Sequence, residues 1–276
     1  MNLKNKVVLI PGASRPIGRA VAVKFAQEGA KLVVPVFEDW PESTIEMENI
    51  FSSSGYTFLM ISCDLRVAAD VANLVSRIEK EYGELHFLIN NIERGGMPIV
   101  HGSYDHEHNR DQWELEINTT LKAKWNLFHF SQPLLKRSGQ GAVTNISSIA
   151  ALTGRSGPVS LIFNDGYSAA NRGIASLTET WAREAAPAIR VNEVMLGLIR
   201  NRHAEHTRGW SLLSESQRQN LINHTLLERT GTPQEVADLI YFITVEASYM
   251  TGSIIRYDGG YCLGGESVLP IPAGDL

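Results

Sequence analysis

Residues 7–29 read VVLIPGASRPIGRAVAVKFAQEG, and the fold turns on how this stretch is read. Val7-Val8-Leu9-Ile10 is a short run without a polar residue, the pattern of a parallel strand covered on both faces. Pro11 to Gly18 makes a glycine-bearing turn, and Arg19 to Glu28 an amphipathic helix ended by Gly29. The free N–H groups and positive dipole end at such a helix start can hold a pyrophosphate. Gly12, Ser14, Arg15, Ile17 and Gly18 form the candidate cradle. A turn whose glycines serve geometry alone is the other reading.

The pattern repeats outward. Short apolar runs at 31–37, 57–63, 86–90, 142–146, 189–195 and 253–257 read as strands. Helical patterns fall between them, at 42–54, 67–82, 111–136, from Tyr167 and from Pro233, where Thr232 is placed to cap. Alternating strands and helices imply an α/β protein with a doubly wound parallel sheet of about seven strands and helices on both faces. Neither a repeat nor a linker divides residues 1–276, so one domain is expected, with a polar segment at about 198–226 inserted in it.

Composition narrows the partners. The formal charge of −5 offers no basic field for nucleic acid or anionic membranes. Two cysteines, Cys63 and Cys262, are too few for a disulfide framework and read as buried thiols of a reducing compartment. The first strand begins at about Lys6, which leaves no room for a signal peptide, and no apolar run reaches the length of a membrane span. A cytoplasmic protein without membrane or nucleic-acid partners is expected. The histidines at 101, 106, 108, 203 and 206 lie in polar loops without a matching carboxylate or cysteine set, so no metal site is assigned.

The chemistry concentrates in residues 148–171, SIAALTGRSGPVSLIFNDGYSAAN. Ser148 ends a strand and Tyr167 opens a helix, so both can reach one polarised substrate oxygen. These residues resemble the classical short-chain dehydrogenase/reductase family, and the resemblance runs over nearly the whole chain. Pro11-Gly12 through Ile17-Gly18 is similar to its TGxxxGIG turn, Asn90-Asn91-Ile92-Glu93 to NNAG, Ser148 to the catalytic serine and Tyr167 to the tyrosine of YxxxK. Arg190-Val191-Asn192 through Gly197 is similar to RVNxVxPG, and Thr251-Gly252 through Gly260 to the terminal TG…DGG. The resemblance implies a Rossmann-type fold and a small-molecule substrate with a carbonyl or secondary alcohol. It further implies an NAD or NADP cofactor contacted by Asp64, Asn90, Gly197 and Ile199, and Asn118 as support for a relay water. A homodimer or homotetramer packed through the helix from Tyr167 is also implied, its small residues Ala169, Gly173, Ser176 and Thr180 forming the contact face.

Departures fall on cofactor-facing positions. The YxxxK lysine is Asn171, NNAG ends in Ile92-Glu93, and proline replaces glycine at Pro16. Asn171 can bond ribose hydroxyls but supplies no positive charge to lower the tyrosine pKa. Weak or specialised oxidoreductase activity is therefore expected. The alternatives are a binding or scaffold protein that kept the fold, and a non-redox acid–base enzyme using Tyr167 and Ser148. At the end of the second strand, Val36 stands where NAD-specific members carry an acid. With Arg15 nearby this favours NADP, while Glu38 and Asp39 would oppose a 2′-phosphate. Arg200, Arg202, His203, His206, Arg208 and Trp210 could meet an anionic substrate, although a solvated surface is the favoured reading.

Overall fold

A computed structural model describes residues 3–38, 41–95, 97–200 and 208–265. Seven strands, β1 (Val7–Leu9), β2 (Lys31–Val36), β3 (Phe58–Ser62), β4 (Phe87–Asn90), β5 (Gly141–Ser148), β6 (Ile189–Leu196) and β7 (Ile254–Tyr257), form one sheet. Every pairing is parallel, in the order β3-β2-β1-β4-β5-β6-β7. The chain winds outward from β1 to β3 and then returns to place β4 against the other side of β1. At that reversal the connections leave in opposite directions, which opens a crevice beyond the carboxyl ends of the strands.

The helices follow from apolar stripes. On one face α1 (Pro16–Gln27), α2 (Pro41–Ser53) and α11 (Pro233–Tyr241) bury Val21 and Phe25, Met47 and Phe51, and Val236 and Ile240. On the other, α3 (Ala68–Tyr82), α6 (Ala123–Arg137) and α8 (Asp165–Ala185) bury Leu74 and Ile78, Leu127 and Leu134, and Trp181. Each such side chain taken from water contributes about 1.5–3 kcal/mol. The strands between read as uninterrupted apolar runs because both their faces are covered. Thr232 caps α11 in a reciprocal box with Glu235, and Pro233 takes the first turn, as the sequence suggests.

Four segments carry more structure than the sequence reading gave them. The helix expected over 111–136 is broken into α5 (Gln112–Glu116), a wide π turn (Ile117–Lys122) and α6. The polar segment at 198–226 carries two helices, α9 (Arg208–Leu212) and α10 (Glu215–His224), the second closed by a Ser214–Gln217 capping box. Short helices also occupy the loops after β4 and β5, α4 (Pro98–His101) and α7 (Ala150–Thr153). These pieces close over the crevice with a third apolar cluster that includes Met97, Val159, Phe163, Leu213 and Leu221.

Candidate active site

The first βα turn sets the floor of the crevice. Gly12 has φ +68°, and a Cβ added there would lie 2.3 Å from the carbonyl oxygen of Asn91. A Cβ on Gly18 would lie 2.3 Å from the carbonyl oxygen of Gly12. Only glycine lets turn, helix and the end of β4 come this close. Asn91 seals the contact by donating through Nδ2 to the carbonyl of Pro11 at 3.4 Å.

Two cavities share Gly12, Arg15, Ile92 and Glu93. The larger, of about 510 Å³, runs from Ser14 and Arg15 past Val36 and Phe37 to Asp64–Arg66 and on to Met97 and Val100. Asp64 does not face this cavity as a lone carboxylate. Arg66 donates to it from Nε at 2.8 Å and from Nη2 at 2.7 Å, which holds its carboxyl below the usual range. The Arg66 guanidinium also sits 5.3 Å from the Phe37 ring centre. Glu38 is exposed and lines neither cavity, and Asp39 lies outside the described residues.

The smaller cavity, of about 70 Å³, is lined by Ser148 and Tyr167 together with Asn91, Glu93, Phe163, Gly197 and Ile199. Ser148 ends β5, and its Oγ accepts from the Ala150 N–H at 3.1 Å, which leaves its O–H to donate. Asn164 caps α8 by accepting from the Tyr167 N–H at 2.8 Å, so the helix opens two residues before the tyrosine. The Tyr167 hydroxyl donates to Glu93 Oε2 at 2.8 Å. A serine hydroxyl, a tyrosine hydroxyl and a carboxylate thus converge beside the cradle turn.

Comparison with known proteins gives this geometry its family. The family model described as enoyl-(acyl carrier protein) reductase matches residues 12–262. The chain belongs to the short-chain dehydrogenase/reductase family. Among its relatives, the 3-oxoacyl-[acyl-carrier-protein] reductase FabG of Thermotoga maritima is 31% identical, covering 94% of this chain and 99% of that protein. FabG of Staphylococcus aureus is 27% identical over 92% of this chain and 97% of the relative. The aldohexose dehydrogenase of Thermoplasma acidophilum superposes with a TM-score of 0.77 at 27% identity, covering 98% of each chain. The family's members are oxidoreductases acting on CH–OH and C=O groups with nicotinamide cofactors.

Against the family's motifs, the structure divides the site residues named from sequence. Gly12, Ser14, Arg15, Ile17, Asp64, Ser148, Tyr167, Gly197 and Ile199 line the two cavities. Gly18, Asn90, Asn118 and Asn171 line neither. Gly18 packs behind the turn. Asn90 is wholly buried and donates to Asn145 Oδ1 at 2.9 Å, because successive strand residues face opposite ways and its neighbour Asn91 takes the crevice side. Asn118 lies within the π turn, half-buried. Asn171 is fully buried and turns back on its own helix, its Nδ2 donating to the Tyr167 carbonyl at 2.9 Å. Arg202, His203 and His206 lie outside the described residues, as does the side chain of Arg208, while Arg200 is exposed. Trp210 packs against the third apolar cluster.

Three ionisable residues that the sequence reading did not assemble come together here, Glu93 within the pocket and Lys124 and Glu193 buried behind it. Glu93 is the residue at which the chain departs from the last position of NNAG. Lys124 is fully buried, and its ammonium donates to the carbonyls of Ile92 and, at 3.1 Å, Thr120. Burial pulls its pKa down to about 8, against the attraction of the Glu93 and Glu193 carboxylates. Glu193 lies at 0% exposure in β6 and accepts from Ser147 at 2.5 Å and Thr178 at 3.1 Å. Burial raises its pKa, opposed by those hydrogen bonds, Lys124 and Arg172. Both had a signal in the sequence. Glu193 is a carboxylate among Val191, Val194 and Met195 of a buried strand, and Lys124 stands three and four residues before the core positions Leu127 and Phe128.

The thiols of Cys63 and Cys262 are pushed up to about 12 by burial, so neither serves as a nucleophile at neutral pH. Among the described residues no cluster of three metal-ligating side chains occurs, and no helix is long and apolar enough to cross a membrane.

Proposed function

We propose that this protein is an oxidoreductase, preferring NADP, that interconverts a carbonyl and a secondary alcohol on a small substrate with an apolar body. The observation that carries the reading is the convergence of Ser148 and Tyr167 in one pocket beside the Gly12 turn, at the carboxyl edge of the sheet. Bound in the crevice, the nicotinamide cofactor supplies or accepts the hydride. Ser148 donates to the substrate oxygen and orients it, and Tyr167 passes the proton to or from that oxygen. Closure by the third apolar cluster excludes water and strengthens both hydrogen bonds.

The larger cavity suits the adenosine side of a dinucleotide in size and lining. Ser14 and Arg15 would hold the pyrophosphate beside the amino end of α1. Arg15 and Arg66 support the NADP preference: they are two of the three arginines that line the cavity, Arg94 being the third, Val36 leaves the usual acid position empty of charge, and Asp64 is already neutralised by Arg66. Met97, Val100 and Phe163 line the cavities, which supports a substrate more apolar than a free sugar. The names of the FabG relatives make a 3-oxoacyl thioester the first compound to try. A homodimer or homotetramer belongs to the same reading, since Ala169, Ser176 and Thr180 leave an exposed face of small residues on α8.

The second reading, a family member that has lost efficient hydride chemistry, draws on Asn171, which turns into its helix rather than toward the cavities. Titration of the purified protein with NADPH and NADH, followed by fluorescence or thermal shift, separates the two. Binding of NADPH more tightly than NADH is the expected result. Binding of neither at millimolar concentration would sink the oxidoreductase reading.

A further inference from the structure

Building on that oxidoreductase reading, we infer that Glu93 is a catalytic proton carrier for Tyr167, and that Lys124 is the positioning residue that holds it. The hydroxyl of Tyr167 has an acceptor in place, Glu93 Oε2 at 2.8 Å, and both residues line the pocket that contains Ser148. A base that must take a proton needs to sit within hydrogen-bond reach of it, and this carboxylate does. Glu93 also lines the larger cavity, so its proton has a route to solvent.

The step balances without any group beyond the reaction itself. In alcohol oxidation the substrate O–H bond breaks and its proton joins Tyr167 Oη. The proton Tyr167 carried moves to Glu93 Oε2, while the hydride leaves to the oxidised nicotinamide cofactor. The Glu93 carboxylic acid then releases its proton to water through the larger cavity. Carbonyl reduction runs the same transfers backwards.

Lys124 takes over what position 171 lacks. A lysine one helical turn after the tyrosine would place a cation beside it; Asn171 places none. The cation comes instead from α6, buried, with its ammonium on the carbonyl of Ile92, the residue before Glu93. It therefore both pins the backbone that carries Glu93 and balances that residue's charge. The other charged groups around this centre are Glu193 on β6, Arg172 on α8, and Arg94 and Arg15 on the crevice loops. Glu116 lies nearby, engaged by Tyr104 and Asn164.

The test uses the full-length protein and Glu93→Gln, Glu93→Ala, Lys124→Met and Tyr167→Phe. Without any cofactor, the Tyr167 signal of ¹³C-tyrosine-labelled protein, assigned by its loss in Tyr167→Phe, is titrated with pH. A carboxylate that accepts from the phenol favours the neutral form, so Glu93→Gln is expected to lower the midpoint by about one pH unit. An unchanged midpoint would overturn the coupling, whatever the protein's reaction. In alcohol oxidation, Glu93→Gln and Glu93→Ala are expected to lower kcat by about 10- to 100-fold with little change in KM. A loss confined to KM assigns Glu93 to binding and overturns the proton role. Lys124→Met is expected to lower kcat of alcohol oxidation by about tenfold with little change in KM, and to cost little more when added to Glu93→Gln, because Lys124 acts through Glu93. Losses that simply multiply in the double variant overturn the assignment of Lys124. Dinucleotide binding by the wild type, measured alongside, reports separately on the oxidoreductase reading.

Discussion

Lys124→Met tests the balance of forces at the centre of the molecule. The ammonium of Lys124 is wholly buried, and two opposing effects act on it. Loss of hydration disfavours the charge, while Glu93 and Glu193 favour it. Burial wins, taking the pKa from 10.5 to about 8. The unfolded chain then binds more protons than the folded one between pH 8 and 10.5, so the contribution of Lys124 to stability rises with pH across that window. At about 1.4 kcal/mol per pH unit, the wild type should gain about 2–3 kcal/mol on Lys124→Met between pH 7 and pH 10. Distant groups titrate alike in both proteins and cancel in the difference. At neutral pH the variant is relieved of the buried charge but removes the ammonium donor from the carbonyl of Ile92, at about 1–3 kcal/mol. The two proteins should therefore be close in stability at pH 7 and well separated at pH 10. Urea unfolding at several pH values and one fixed protein concentration measures this. A difference that stays flat, or that shrinks as pH rises, would refute the reasoning and mean that the two carboxylates outweigh burial.

Four further outcomes follow from the same geometry. Tyr167→Phe should lower turnover by about 10²–10⁴-fold while dinucleotide binding persists, as stopped-flow kinetics and fluorescence titration would register. Asn171→Lys should give less than about a tenfold gain in turnover and lower stability by about 1–3 kcal/mol, because the site is already filled; a thermal melt and a carbonyl panel check both. Removing Arg15 and Arg66 together should reduce the preference for NADPH over NADH by about tenfold or more, read from the ratio of the two dissociation constants. Gly18→Ala should lower the melting temperature by several degrees, since its Cβ would lie 2.3 Å from a backbone oxygen that has no room to yield.

The architecture was legible because its signals are local. Strand runs such as Val7-Val8-Leu9-Ile10 and stripes such as Ile174, Leu177 and Trp181 repeat at the period of their element, and burial on a covered sheet follows from that period. The helix capped at Thr232 was equally clear, since its capping box spans four residues. The break of the 111–136 helix was not visible. Its π turn brings the Thr120 hydroxyl onto the backbone of Arg94, a partner 26 residues away that no local pattern encodes. Nor did motif position show that Asn171 bonds within its own helix, that Asn91 rather than Asn90 faces the crevice, or that Arg66 neutralises Asp64.

By itself the sequence determined the doubly wound sheet, the cradle turn after β1, and the placement of Ser148 and Tyr167 on elements that end at the same edge. Periodicity, glycine geometry and capping act over a few residues, so they can be read from the chain directly. Tertiary structure alone decided which charges meet. Glu93, Lys124 and Glu193 come from a loop after β4, from α6 and from β6, and only the packed sheet brings the two buried groups, Lys124 and Glu193, up behind the half-buried Glu93. Desolvation and Coulomb attraction there depend on distances between side chains far apart in sequence, and those distances set the charge behind Tyr167.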